Sequence, residues 1–172
     1  MTLVKSKQVV LHRVMPLFDD RTTLVVVDMQ VKFAAANEAW MIEAVDERIL
    51  AAMAAGAGVV FLEFFSMNPI CFWGPTDDRL LMPLRSARYG RWAMQPKAEA
   101  NGAQGVLKAC GKIDPPLPTE RFVLVGVHTM ACVAATAEGL LDASQAKIEI
   151  DVAACNDRGG QKIEELYAKF LM

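Results

Sequence analysis

Apolar positions along this chain fall into unbroken runs separated by stretches of helical period. Thr22-Thr23-Leu24-Val25-Val26-Val27, Val59-Val60-Phe61-Leu62 and Phe122-Val123-Leu124-Val125-Gly126-Val127 are such runs. Runs this rich in β-branched residues read as strands buried on both faces. Residues 147–152 alternate charged with apolar side chains, which predicts an edge strand with one wet face. Residues 91–96 read as a short strand ended by Pro96, with Lys97 at its tip. The spacing of Trp40, Ile42, Val45, Ile49 and Met53 predicts a helix with an apolar face, capped by Asn37 and stopped by Gly56 and Gly58. Further helices are predicted over residues 101–112, from Cys132 to about Ala143, and over residues 161–172. Val9-Val10-Leu11 reads as an edge strand or a subunit contact. Residues 66–90, with Pro69, Cys71, Trp73, Pro75 and Pro83, read as an irregular loop that forms a lid or pocket wall, or equally a subunit contact.

Strands alternating with helices imply a three-layer α/β fold. The sheet is expected to be parallel, of five or six strands, with the strand before Cys132 central. Residues 1–20 read as an N-terminal extension and residues 21–172 as one domain. A chain of 172 residues, 53% hydrophobic, is enough for a full core. The formal net charge of −2 gives no reason to expect nucleic acid or an anionic membrane as partner. Four cysteines without a CxxC pair and two histidines do not give the ligand spacing of a zinc site. No leader pattern and no membrane-length apolar window stand out, so a cytoplasmic protein is expected. The apolar content, with Trp40 and Trp73, also predicts a homo-oligomer.

Three reactive side chains are expected at strand carboxyl ends: Asp28, Lys97 and Cys132. In parallel sheets those ends share one rim, where ligands bind. Cys132 would lie where a central strand meets a helix, and the helix N-terminus is expected to favour its thiolate. Attack by a thiol on a carbonyl needs a base, and donors for the oxyanion. An aspartate supplies the first, and backbone N–H groups before Cys132 supply the second. A structural reading of Cys132 as a small buried apolar residue, and of Asp28 as a turn or cap residue, stands beside this one.

TTLVVVDMQVKF, MQPK and LVGVHTMACVAATA, in that order, resemble motifs of the isochorismatase-like cysteine hydrolases. The similarity spans roughly residues 22–152. The resemblance implies Asp28 as base, Lys97 as its partner and Cys132 as nucleophile. It also implies a cis peptide before His128 and an oxyanion hole from the N–H groups of His128 and Cys132. Gln30, Phe33, Phe65 and Trp73 are the candidate pocket residues for a small-molecule substrate. No metal and no cofactor are expected: where nicotinamidases of the family carry Asp-x-His, this chain reads Glu63-Phe64-Phe65-Ser66. Cys132 argues against the vinyl-ether-cleaving branch. Ala98 to Gly102 depart from the family pattern after the lysine, which keeps Lys108 as an alternative. Two functions stay open: hydrolysis of a small amide or related C–N bond, or a degenerate member that binds or assembles without turnover.

Overall fold

The computed structural model describes residues 8–66 and 73–171. It contains six strands: β1 (Val9–His12), β2 (Thr22–Val27), β3 (Gly58–Phe64), β4 (Trp92–Lys97), β5 (Arg121–Val127) and β6 (Lys147–Asn156). All are parallel, in the order β1-β6-β5-β2-β3-β4. β2 and β5 are therefore the central pair, and their apolar runs are fully buried. Helices α1 (Ala39–Ala54), α2 (Asp78–Ser86), α3 (Ala103–Lys112), α4 (Ala134–Ala143) and α5 (Ile163–Phe170) flank the sheet. One apolar cluster joins Val25, Leu62 and Leu124 to α3 and α4. A second, on the other face, joins Val26, Phe61 and Val123 to α1 and α2. Unbroken apolar strands arise because each face of the sheet meets a helix layer.

Several local readings need correction. β6 is an interior strand between β1 and β5, not an edge. Its two acids, Glu149 and Asp151, are buried and paired within the protein, while Lys147 stays exposed. Glu149 meets Arg121 at 2.8 Å, His12 at 2.8 Å and Lys147, and Asp151 meets Arg48 at 2.8 Å. The charged alternation thus marks buried ion pairs, not a wet face. β1 lies on the outer side of β6, so residues 9–12 complete the sheet.

Residues 78–86 of the stretch read as an irregular loop form α2. Asp77 caps it by accepting the Arg79 N–H at 2.9 Å, and Leu80, Leu81 and Leu84 are buried. Pro83 sits inside this helix. The prolines hid a helix whose cap and leucine spacing were legible. Pro69 and Cys71 lie outside the described residues. Trp40 does not belong to the buried face of α1. It is 37% exposed, while its neighbour Met41 is fully buried. Glu38, not Asn37, stands at the helix cap.

Candidate active site

β2 runs straight into Asp28, which adopts a left-handed backbone with φ 51°. Few residues other than glycine tolerate this, aspartate and asparagine among them. The reversal turns the chain off the sheet, with the Asp28 N–H still donating to Leu62 O at 3.0 Å. Lys97 is the last residue of β4, on the far side of β3. Its side chain crosses the end of β3, with Nζ 4.6 Å from the Phe64 ring centre, and reaches Asp28 Oδ2 at 2.9 Å. Nζ also donates to Glu99 O at 3.0 Å. Lys108 is exposed on α3, so Lys97 is the lysine paired with Asp28.

β5 ends at Val127, and the Val127–His128 peptide is cis. Gly126 just before it has φ 120°, and a Cβ there would lie 2.2 Å from Val27 O. Only glycine fits so close to β2. The chain then forms a π-helical turn over Thr129–Val133 that leads into α4. Cys132 lies in that turn and is 7% exposed. Its thiol lies near enough to Asp28 and Lys97 for their charges to act on it, without a well-formed hydrogen bond to the carboxylate. The Asp28 carboxylate is wholly buried. Apart from Lys97 and this loosely aligned thiol, no donor among the described residues serves its oxygens.

The electrostatics follow from this burial. Desolvation pushes the Asp28 carboxyl above its ordinary value, with Lys97 opposing. Burial, reinforced by the neighbouring Asp28 charge, pushes the Cys132 thiol up to about 11. This corrects the expectation of a thiolate favoured by the helix N-terminus: loss of water and a carboxylate neighbour raise the thiol pKa instead. The Cys132 thiol is thus held neutral at ordinary pH, an arrangement suited to moving its proton as the sulfur attacks rather than before.

The other candidate residues take different places. The Gln30 side chain works as a clamp. It accepts the Phe64 N–H at 2.6 Å and donates to Phe64 O at 3.1 Å and Gly74 O at 2.7 Å. Phe33 stacks on Trp73 with centroids 4.8 Å apart, and the His128 ring meets Phe33 edge-on at 5.0 Å. These three line a cleft of about 390 Å³ with Lys32, Glu38 and Arg158 on its walls. Phe65 is 53% exposed and lines a second cleft of about 350 Å³, on the other side of Trp73. Neither cleft is lined by Asp28, Lys97 or Cys132 themselves. The first approaches the turn that carries Cys132 through His128. Among the described residues no group of His, Cys, Asp and Glu has the arrangement of a metal site, and no helix is long and apolar enough to cross a membrane.

Three supporting residues, Thr136, Gly102 and Asp157, were not among the site candidates read from the sequence. The Thr136 hydroxyl on α4 accepts the Gly102 N–H at 3.0 Å and donates to Ala100 O at 3.3 Å. It anchors the segment after Lys97 that departs from the family pattern. A Cβ at Gly102 would lie 3.0 Å from Lys97 Cδ and 2.5 Å from Leu62 Cδ1, so this glycine makes room for the lysine stem. Asp157 Oδ2 accepts the Met130 N–H at 3.0 Å and so holds the turn that carries Cys132.

No family model and no curated protein matches the sequence. Solved structures do. A ribonuclease from Caenorhabditis elegans aligns over 90% of this chain and 74% of its own, with a TM-score of 0.67 and 19% identity. A nicotinamidase from Staphylococcus aureus aligns over 86% of this chain and 90% of its own, with a TM-score of 0.66 and 18% identity. N-carbamoylsarcosine amidase from Thermoplasma acidophilum aligns over 87% and 91%, with a TM-score of 0.61 and 18% identity. An isochorismatase-family protein from Burkholderia thailandensis aligns over 91% and 92%, with a TM-score of 0.65 and 14% identity. At these identities the likeness is one of architecture, and the chain has the isochorismatase-like fold.

Proposed function

We propose that this protein is a cysteine hydrolase that cleaves a small amide or related C–N bond through a thioester on Cys132. The observation that carries this reading is the buried Asp28–Lys97 pair at 2.9 Å with the Cys132 thiol against it. A structural ion pair needs no thiol, and a structural cysteine needs no carboxylate. In the cycle, Cys132 Sγ attacks the carbonyl carbon while its proton passes to Asp28. The oxyanion forms against the backbone N–H groups of His128 and Cys132. Collapse breaks the C–N bond, and the leaving nitrogen takes the proton from Asp28. Asp28 then accepts a proton from water as the water oxygen attacks the thioester, which frees the acid and returns the thiol. Lys97 keeps Asp28 ionised where burial alone would protonate it. Phe33 and Trp73 offer the substrate a flat apolar wall. The amidase and nicotinamidase among the structural relatives favour C–N bonds as the target.

The low exposure of Cys132, and the absence of the three residues from either cleft wall, favour a second reading: a binding or assembly protein without turnover. One experiment separates the two. The protein is incubated with a panel of small primary amides, quenched in acid and analysed by mass spectrometry. The hydrolase reading expects ammonia release and an acyl group on the Cys132 peptide, both lost in Cys132→Ala. No acylation across the panel supports the second reading. We also propose a homo-oligomer, since Val14 and Leu17 are 73% and 89% exposed. Light scattering that gives one chain per particle at micromolar concentration counts against it.

A further inference from the structure

We infer that Arg158 reads a carboxylate on the substrate, so the enzyme acts on small amides that carry an anionic group away from the scissile bond. The inference rests on the hydrolase reading and adds the substrate's charge to it.

The cleft beside His128 has an aromatic side and a charged side. Phe33 and Trp73 form the first. Lys32, Glu38, Asp157 and Arg158 belong to the second. By formal charge the two acids would cancel the two cations, but their oxygens are already engaged. Glu38 Oε1 accepts from Asn156 Nδ2 at 3.2 Å, and Oε2 accepts from Trp40 Nε1 at 2.6 Å. Asp157 Oδ2 accepts the Met130 N–H at 3.0 Å, and Oδ1 accepts the Arg158 N–H at 2.8 Å. All four carboxylate oxygens therefore meet nitrogen donors of the protein. The Arg158 guanidinium, by contrast, joins no ion pair among the described residues.

A guanidinium presents paired donors that match a carboxylate, and such charge-assisted pairs are among the stronger hydrogen bonds. Position strengthens the case. Asp157 fixes the turn that carries Cys132, and Arg158 is the next residue. A substrate carboxylate held by Arg158 would thus be measured against the nucleophile through one short, hydrogen-bonded stretch of chain.

The test uses aldehydes, which add to a thiol as amides do but stop there. Sulfur bonds to the carbonyl carbon, the C=O π bond opens, and the thiol proton ends on the oxygen, giving a thiohemiacetal. Succinic semialdehyde and butyraldehyde match in length and differ in the terminal carboxylate. Each is titrated against alkylation of Cys132 by iodoacetamide, followed on the Cys132 peptide. The native protein should be protected by succinic semialdehyde at about tenfold lower concentration, the size expected of one hydrogen bond to a charged group. Arg158→Gln, an exposed change, should bring the two aldehydes level by weakening the anionic one. Equal protection of the native protein, or a preference that survives Arg158→Gln, overturns the inference and leaves the hydrolase reading standing. Protection by neither aldehyde removes both.

Discussion

Two buried carboxylates, at opposite ends of the sheet, are treated in opposite ways. Glu149, near the amino ends of β5 and β6, is wholly buried but surrounded by donors. Arg121 meets it through two nitrogens, at 3.0 and 2.8 Å, and Lys147 and His12 add further contacts. Burial raises its pKa, yet the bonds to Arg121 and Lys147 outweigh burial and hold it at about 2. Asp28, on the carboxyl rim, is buried as deeply with one cation and one thiol. There burial wins and the pKa moves up. A carboxylate with every lone pair engaged is a fixed strut. One with idle lone pairs can take a proton, which is what a general base must do.

The comparison breaks most sharply by substitution. Asp28→Asn should lower turnover at least about 10³-fold, since the amide cannot take the thiol proton, and Cys132→Ala should do the same. The melting temperature of Cys132→Ala should stay close to that of the native protein. Glu149→Gln should do the reverse. It should lose on the order of 3 kcal/mol in denaturant unfolding, because Arg121 keeps its charge without a full partner, while kcat changes little. If Glu149→Gln abolishes turnover in a folded protein, the division into strut and base is wrong.

Acid should separate the ends without mutation. Asp28 must be ionised to act, so activity should fade as pH drops through a value above the ordinary 3.8. The lowered pKa of Glu149 means its stabilisation is fully present above about 4.5 and lost as pH falls toward 2. Activity should therefore disappear at a pH where circular dichroism still reports the native fold. Coincident loss of both would contradict the assignment. The smallest effect concerns the support of Lys97. Thr136→Val keeps the volume but removes the acceptor for the Gly102 N–H, and should cost about 1–2 kcal/mol with a severalfold drop in kcat.

The two ends also differ in how well the chain advertises them. Asp28, Lys97 and Cys132 each follow a strand that is local in sequence, so the sheet's polarity brought them to one rim by inference alone. The Glu149 cluster could not be read that way. Its partners are supplied by β1 and β5, and the partner of Asp151, Arg48, lies 103 residues earlier in α1. A charged alternation looks the same whether water or arginine answers it, and β6 was misread for that reason. α2 was hidden by Pro83 although Asp77 and its leucines marked it. The clamp role of Gln30 and the support from Thr136 depend on loop backbone atoms, which no periodicity reports.

The pairing of β1 with β6 bears on how the protein is made. β1 is the first strand in chain order and β6 the last, yet Val9 lies opposite Ile148 in the sheet. During synthesis, Val9 and its neighbours wait for a partner until β6 has left the ribosome. Meanwhile β5 keeps an open side until β6 emerges to fill it. Contacts this distant in sequence slow folding and lengthen the time that unpaired edges stay exposed. The rim that carries Cys132 is framed by strands β2 to β5, all complete before then. The strands of the rim are therefore made early, whereas the turn that carries Cys132 gains its bond to Asp157, and the sheet its last pairing, only once β6 is made.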